Sequence, residues 1–202
     1  MESRAIYFHT ANGPYGSVLS NFANIPLIYK GQQYANSESA FQCEKTLNPV
    51  ERKAFIDVEP DKAKKLGRHC TLRPDWEEVK LQVMIDVVRA KFGIEQQMLP
   101  CSLDAGEFLA NTGDRLLLED TTGWKDNCWG CDFNTEPLGK NWLGMCLMRI
   151  RSEITGNAIV KTPYGTMFDV VENFNAFTTD EQQIRKLNDL YTRIYNDKLY
   201  VH

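Results

Sequence analysis

The chain has 202 residues, of which 43% are hydrophobic and 25% are charged, and these are ordinary values for a globular domain. Its formal net charge of −4 argues weakly against general binding to nucleic acid or to an anionic membrane, although a local basic patch could still bind either. No apolar run reaches membrane-spanning length, the first residues lack the apolar core of a signal peptide, and six cysteines without an export signal are typical of a reducing compartment. We therefore expect a cytoplasmic protein with no membrane partner.

The N-terminal part of the chain predicts two short strands and a hairpin. Residues 5–9 are expected to form a strand, and residues 12–16 are rich in turn formers. Residues 25–29 are expected to form a second strand, and a turn at 30–31 leads into residues 32–35. A hairpin of this size is not stable alone, so we expect it to pack on helices.

The stretch from 36 to 45 predicts the beginning of a helix. Asn36 or Ser37 can accept hydrogen bonds from the first free backbone N–H groups. Four side chains at helical spacing share one side: Glu38, Phe41, Gln42 and Lys45. A carboxylate, an amide and an amine on one side can support acid–base or covalent chemistry, and the alternative is a solvated helix face. A second stripe is apolar and is expected to face a core: Ala40, Cys43 and Leu47.

The middle of the chain is predicted to be mostly helical, with helices over 50–56, 61–66, 75–92 and 102–109. The clearest is 75–92, where Asp75 and Glu78 resemble a capping box. Its apolar stripe is Trp76, Val79, Val83, Met84, Val87 and Ala90. A strand at 116–119, a long loop at 120–140 and a helix at 141–154 are expected to follow.

The C-terminal segment differs in character from the rest. Residues 158–171 suggest a hairpin around a turn at 163–165, and Thr178 with Glu181 is typical of the start of a last helix. Its stripe is Ile184, Leu187, Tyr191, Ile194 and Tyr195. We expect this segment to dock on the main domain.

Standard metal and nucleotide motifs give little support to other chemistries. Cys128 and Cys131 have CxxC spacing but lack a second pair or the strand–helix context of a redox motif. The three histidines are scattered, and no phosphate-binding glycine motif occurs. The sequence therefore predicts no metal ion and no cofactor. A basic cluster favours either a solvated face or a phosphate site: Lys62, Lys64, Lys65 and Arg68. Trp76 and Trp129 could stack on a heterocycle, although Trp76 could equally belong to the core.

Taken together, an ordered set of short motifs over about residues 6–154 resembles the NADAR family of YbiA-like N-glycosidases. The motifs are Tyr15-Gly16, Ser20-Asn21-Phe22, Ser37-Glu38 with Phe41-Gln42 and Lys45, Gly67-Arg68, Trp76-Glu77 with Val79-Lys80 and Val83-Met84, Ala90-Lys91-Phe92, Thr112-Gly113-Asp114 with Leu118-Glu119, Trp129-Gly130, and Asn141 with Leu143-Gly144 and Leu147-Met148. Each motif alone is weak, and their order is what makes the resemblance specific. It implies an α+β fold, mainly α-helical, with a small antiparallel sheet. We expect residues 1–156 to form this domain, and residues 157–202, which lie outside the resemblance, to form a C-terminal extension.

The resemblance also implies residue roles. Glu38 is implied to be catalytic, and Lys45 is the second catalytic candidate. The implied substrate-binding residues are Asn21, Phe22, Gln42, Arg68, Trp76, Glu119, Trp129, Gly130 and Asp132. Family members often carry an acidic residue directly after the Trp-Gly pair, whereas here Cys131 intervenes before Asp132.

Three functions are consistent with this resemblance. The first is hydrolysis of the ribose–nitrogen bond in early phosphorylated riboflavin-pathway intermediates, with a small ribosyl phosphate as partner. The second is removal of ADP-ribose from guanine in ADP-ribosylated nucleic acid. The third is a non-catalytic ADP-ribose or nucleotide-binding module. The acidic balance of the chain favours a small-molecule substrate, and the oligomeric state stays open.

Overall fold

The computed structural model of the chain describes residues 5–94, 98–162, 164, 167–177 and 180–199, without the side chains of 173, 175–177 and 197–199. In chain order the elements are β1 (Ala5–Phe8), α1 (Gly13–Leu19), β2 (Leu27–Tyr29), β3 (Gln32–Tyr34), α2 (Ser37–Cys43), α3 (Pro49–Lys53), α4 (Pro60–His69), α5 (Trp76–Lys91), α6 (Pro100–Ala110), β4 (Leu116–Glu119), α7 (Trp142–Thr155), β5 (Ile159–Lys161), β6 (Met167–Asp169), α8 (Val170–Phe177) and α9 (Glu181–Leu199). Helices predominate over two-stranded sheets, which confirms the predicted mainly helical α+β class.

The chain forms two compact units, residues 10–111 and residues 1–9 with 112–202. The predicted domain boundary after residue 156 stays a prediction. Within the described residues, no helix combines the length and the apolar character needed to cross a bilayer.

In the unit of residues 10–111, the predicted hairpin is confirmed. β2 and β3 pair in antiparallel register from Leu27 opposite Tyr34, and the turn residues Lys30 and Gly31 both have positive φ angles. The prediction of a loop at 12–16 is wrong, because α1 begins at Gly13. Pro14 occupies the first turn, where its missing N–H costs nothing, so a residue that signals a turn here starts a helix.

Helix α5 confirms the predicted core helix within one residue at each end. Most of its predicted stripe is buried, with Val79 half-buried, and Ile85 and Val88 extend the buried side. The predicted cap is wrong, because the Asp75 side chain makes no hydrogen bond to the helix. Asp75 instead forms a two-point ion pair with Arg73, whose Nε lies 2.6 Å from Asp75 Oδ1.

In the other unit, β1 and β4 pair in parallel, with Ala5 opposite Leu116 and Phe8 opposite Glu119. This pairing adds a parallel sheet to the predicted antiparallel one. α7 packs on β4, and a side chain at Gly144 would meet the Leu117 carbonyl oxygen at 2.3 Å. The predicted loop at 120–140 contains no helix, and its only extended pairing within the described residues is a single bridge from Asp120 to Cys131.

The C-terminal hairpin is confirmed as β5 and β6, but its second strand ends at Asp169, where the short helix α8 begins. Asp169 accepts hydrogen bonds from the N–H groups of Val171 and Glu172, so a residue assigned to a strand acts as a helix cap. The predicted last helix is α9, and its stripe is buried at Leu187, Tyr191 and Ile194. The predicted turn residues 163 and 165 and the predicted cap Thr178 lie outside the described residues.

An ionic network around Glu44 joins three elements of the unit of residues 10–111. The Glu44 carboxylate is almost fully buried at the end of α2. It accepts hydrogen bonds from Lys30 of the β2–β3 turn at 2.8 Å and from Arg52 of α3 at 2.5 Å, and Arg73 lies 3.9 Å away. Burial alone would raise the pKa of the Glu44 carboxyl, but the hydrogen bonds and charges of Arg52 and Lys30 outweigh burial and hold the pKa below its ordinary value.

Glu44→Gln should reduce the free energy of unfolding by about 2 kcal/mol at neutral pH, because the half-buried Arg52 and Arg73 lose their counter-charge, whereas Lys30 is exposed to solvent. The folded pKa of Glu44 is lower than the unfolded value near 4.5, so the network stabilises the fold above that pH. This stabilisation is lost as the pH falls through the folded pKa. Denaturant titrations at pH 7 and at about pH 3.5 should therefore show the difference from wild type shrinking at the lower pH.

The matched control is Glu77→Gln, which removes an exposed carboxylate on α5 and should change the free energy of unfolding by less than about 0.5 kcal/mol at either pH. A difference between wild type and Glu44→Gln that stays constant across this pH range would contradict the assignment.

Candidate active site

Helix α2 is a short helix whose seven residues are all buried, so its polar groups need partners inside the protein. The Asn36 side chain caps it by accepting from the Ser39 N–H at 2.8 Å, as predicted. The Asn21 carbonyl oxygen accepts from the Glu38 N–H at 3.1 Å and from the Ser37 hydroxyl at 3.2 Å. The segment before β2 therefore fixes the first turn of α2 and with it the backbone of Glu38.

Glu38 and Gln42 form a buried pair one turn apart. The Gln42 amide nitrogen donates to Glu38 Oε1 at 2.8 Å, and both side chains are about 5% exposed. The alternative interpretation of this side of α2 as a solvated face is therefore wrong. The carboxamide of Gln42 lies against Gly67 of α4, where a Cβ atom would come within 1.8 Å of Gln42 Oε1. Only glycine at position 67 leaves room for this arrangement.

Lys45 lies beyond the end of α2 rather than on it, because the helix ends at Cys43. Its amine nevertheless stays close enough to Glu38 for the carboxylate to act on it. Burial lowers the pKa of the Lys45 ammonium; Glu38 and Cys70 partly counter this, and Lys64 and Arg68 lower the pKa further. Lys45 is thus the centre of a small basic group, and its neutral amine forms more readily than that of a solvated lysine.

Aromatic rings surround this group. The Lys45 amine lies 5.7 Å from the centre of the Trp76 ring, and the Phe41 and Trp76 rings are 5.2 Å apart in a tilted contact. Trp76 is buried, so it is part of the core and a neighbour of the lysine at once. The Lys64 amine lies 5.4 Å from the Phe22 ring.

The structure thus brings six predicted site residues together in one unit: Asn21, Glu38, Gln42, Lys45, Arg68 and Trp76. Phe22 joins them through Lys64. In the same unit, two side-chain amide oxygens, Asn21 Oδ1 and Gln42 Oε1, are buried without a hydrogen-bond partner among the described residues.

The remaining predicted residues lie in the other unit. Glu119 ends β4 and is buried, and its carbonyl oxygen accepts from the Cys131 N–H at 2.8 Å. Trp129 is half-buried, and its ring meets the Trp142 ring edge-on at 5.6 Å. Asp132 is buried and accepts from the Asn134 N–H at 3.0 Å, which is the bonding pattern of a turn residue. A role of Asp132 in substrate binding stays a prediction.

Several sequence interpretations need correction or closer definition. Leu47 is 62% exposed, so the expected apolar stripe of α2 consists of Ala40 and Cys43 alone. Lys62 and Lys65 of the basic cluster are exposed, while Lys64 and Arg68 act on Lys45. Among the described residues, no group of three or more His, Cys, Asp or Glu side chains is arranged to hold a metal ion.

Sequence reasoning missed one buried charge beside the site. Lys91 is fully buried near the end of α5, and its amine donates to the Ser20 carbonyl oxygen at 2.7 Å. Lys91 therefore fixes the segment at Ser20 and Asn21, and the Asn21 carbonyl oxygen accepts the hydrogen bond from the Glu38 N–H. The signal was a lysine between Ala90 and Phe92 in an otherwise apolar end of a helix, where a cation requires an internal partner.

Comparison with known proteins identifies the family of the chain. Residues 7–155 match the family described as NADAR domain. An N-glycosidase from Nostoc punctiforme is 35% identical over 156 residues, which cover 74% of this chain and 92% of the relative. The NMR structure of the E. coli protein YbiA, at 34% identity, superposes with a TM-score of 0.62 over 76% of this chain and 86% of that chain. A riboflavin biosynthesis protein from Vibrio vulnificus is 31% identical over 156 residues, which cover 76% of this chain and 39% of that protein.

The fold and the site thus define a mainly helical α+β domain in which a buried carboxylate, Glu38, lies near the half-buried amine of Lys45. The chain belongs to the NADAR domain family.

Gly67→Ala should displace the Gln42 carboxamide and break its hydrogen bond to Glu38, because the new methyl group would overlap Gln42 Oε1. We expect a folded protein whose free energy of unfolding falls by about 1–2 kcal/mol, since the overlap outweighs the gain in helix propensity. The Gln42 side-chain amide signals in a ¹H–¹⁵N NMR spectrum should shift.

Gly123→Ala is the matched control, since a Cβ atom at residue 123 meets nothing within 4 Å. It should leave the Gln42 signals in place. Unmoved Gln42 signals in Gly67→Ala would show that the helix contact at Gly67 does not position this side chain.

Proposed function

We propose that the chain is an N-glycosidase, a hydrolase that cleaves the bond between ribose and a nitrogenous base or amine. Its proposed substrates are early phosphorylated riboflavin-pathway intermediates, the ribosylamino-pyrimidine phosphates. The observation that carries the proposal is the buried Glu38–Gln42 pair beside the lysine of lowered pKa, in a chain that matches an N-glycosidase over nearly that relative's full length. The riboflavin-related name of the Vibrio vulnificus relative supports the substrate class.

Glu38 has the chemistry that this reaction requires. Breaking a ribosyl C–N bond leaves positive charge on the sugar ring and negative charge on the departing nitrogen. A carboxylate near C1′ stabilises the first and can orient the attacking water. Gln42 and the Asn21 carbonyl hold the Glu38 side chain and backbone in place, so little reorganisation is needed during the reaction.

Lys45 offers a second route through a covalent intermediate. In the ring-opened substrate, C1′ is doubly bonded to the departing nitrogen. The neutral Lys45 amine would add to C1′ and pass its two protons to that nitrogen, which leaves as a free amine, while a C=N bond forms between Lys45 and the sugar. Water would then hydrolyse the imine, release the sugar and restore the amine. The lowered pKa of Lys45 favours this route, because the attacking species is the unprotonated amine.

The basic group around Lys45 supports a phosphorylated substrate. Lys64 and Arg68 add positive charge on the α4 side of the site, and Arg68 is exposed to solvent. Phosphate oxygens are the ligands that such cations bind best. The proposed substrate-binding set also includes the residues of the other unit that the family motif implies: Glu119, Trp129, Gly130 and Asp132.

The substrate class can be tested directly with the purified chain. Release of the pyrimidine from a ribosylamino-pyrimidine phosphate should be detected by chromatography, with ADP-ribosylated guanine in DNA as the competing substrate. If the chain cleaves only the DNA adduct, its substrate is ADP-ribosylated guanine in DNA and not the ribosylamino-pyrimidine phosphate. Tight binding of ADP-ribose with neither cleavage would identify a binding module instead of an enzyme.

Glu38→Gln should reduce kcat by at least about a hundredfold, because the variant loses the charge that assists bond cleavage. The amide fits the same space and can still pair with Gln42, so the protein should stay folded, as thermal unfolding would show. Glu78→Gln, which changes an exposed residue in the first turn of α5, is the control and should keep wild-type turnover. Near-normal turnover in Glu38→Gln would remove Glu38 from the mechanism.

Borohydride added during turnover should attach the sugar to Lys45 if the imine route operates, because it reduces the imine to a stable secondary amine. Peptide mass spectrometry would locate the adduct. Lys45→Arg should abolish it, whereas Lys64→Arg, at a neighbouring lysine, should retain it. Absence of any adduct under conditions of active turnover would leave the Glu38-assisted attack of water as the route.

A further inference from the structure

The C-terminal helix α9 lies outside the family match, which ends at residue 155, yet it is bonded to a loop that carries proposed site residues. The amide oxygen of Asn188 on α9 accepts a hydrogen bond from the Gly139 N–H at 2.9 Å. The amide nitrogen of Asn188 donates to the Ile184 carbonyl oxygen at 2.9 Å, which fixes the orientation of the group. Asn188 is only 7% exposed, so little water competes for these bonds.

Gly139 lies at the centre of a closely packed loop. Two arms of this loop, residues 127–132 and 138–143, are joined by five backbone hydrogen bonds, including Asn141 N–H to the Gly130 oxygen and Leu143 N–H to the Trp129 oxygen at 2.9 Å. Gly139 has a φ angle of 135°, and a Cβ atom there would meet the Gly130 oxygen at 2.4 Å. The bond from Asn188 therefore holds the arm that in turn holds Trp129 and Gly130.

A second contact from α9 reaches the same loop. The Tyr195 ring stacks on the Phe133 ring with centres 4.0 Å apart and planes 8° apart. Phe133 directly follows Asp132, and its ring also meets the Tyr7 ring of β1 at 5.9 Å. α9 thus holds the loop at two points, a hydrogen bond at Gly139 and a ring stack at Phe133.

We propose that Asn188 is a positioning residue for substrate binding, and that α9 completes the 126–143 loop by fixing the arm that holds Trp129. This inference rests on the proposed function for the role of Trp129, but not for the structural link itself. Because Asn188 acts on the position of the indole and not on the reacting bond, its loss should weaken substrate affinity and leave the rate of the bound complex unchanged.

The test compares three substitutions on α9 in the full chain. Asn188→Leu removes the acceptor for Gly139. Asn188→Asp keeps that acceptor but replaces the donor to Ile184 with an oxygen, and Lys186→Ala alters an exposed residue of the same helix. The readouts are the ¹H–¹⁵N indole signal of Trp129, assigned with Trp129→Phe, and the steady-state constants with the ribosylamino-pyrimidine phosphate.

We expect Asn188→Leu to shift or broaden the Trp129 indole signal, leave the Trp76 signal unchanged, and raise KM about three- to tenfold with kcat within about twofold of wild type. Lys186→Ala should match wild type in the indole signal and in KM, and Asn188→Asp, which keeps the acceptor for Gly139, should change both less than Asn188→Leu does. If Asn188→Leu does not fold, Asn188→Ser removes the same contact with a smaller change in packing and takes its place.

An unmoved Trp129 signal in the variant that lacks the acceptor would overturn the proposal, as would an equal shift in Asn188→Asp. If wild type shows no turnover, the proposed function fails. The Trp129 indole signal would still show whether Asn188 positions the loop that holds Trp129. If turnover is present and KM is unchanged despite a shifted indole, Asn188 orders the loop without contributing to substrate binding, and the proposal is overturned.

Discussion

The structure of the site depends on the burial of one short polar helix. α2 has seven residues, too few to be stable through its own hydrogen bonds, and every one of them is buried. Apart from the Glu38–Gln42 pair, its polar groups bond to residues outside the helix: Ser39 bonds to Asn36 and Val58, and Ser37 and the Glu38 N–H bond to Asn21. The partners come from segments on both sides of α2 in the sequence, so the site forms only when the surrounding unit has folded.

Burial also sets the chemistry of the site. An ammonium group removed from water loses solvation energy, and this loss lowers the pKa of Lys45 even though a carboxylate lies nearby. Neighbouring Lys64 and Arg68 act in the same direction. The same low polarity strengthens the interaction of Glu38 with any positive charge that develops on a sugar. One cause, the exclusion of water around α2, thus supports both routes that the residues allow.

The sequence predicted the type of most elements because their signals are local. Asn36 caps α2, Lys30 and Gly31 form the turn of the hairpin, and apolar residues at helical spacing mark α5. Each of these signals lies within a few residues of the element that it predicts. The misses at Asp75, Pro14 and Asp169 share a cause: each residue type is common in two local structures, and the sequence pattern does not show which of the two forms. Burial of Glu38 could not be read from spacing, since Glu, Gln and Lys are typical of an exposed helix as well. That Gly67 leaves space for Gln42 is a contact between residues 25 apart in the sequence, which periodicity does not report.

Two carboxylates at opposite ends of α2, Glu44 and Glu38, have different surroundings and therefore different roles. Glu44 is surrounded by Lys30, Arg52 and Arg73, and these cations neutralise it and hold its pKa low, so it joins elements and has no capacity left for a ligand. Glu38 instead accepts a hydrogen bond from the neutral amide of Gln42. The cation that it acts on is Lys45, whose pKa stays low because burial, Lys64 and Arg68 outweigh the attraction of Glu38. A residue type alone would not distinguish the two, and the charges of the groups that hold them do.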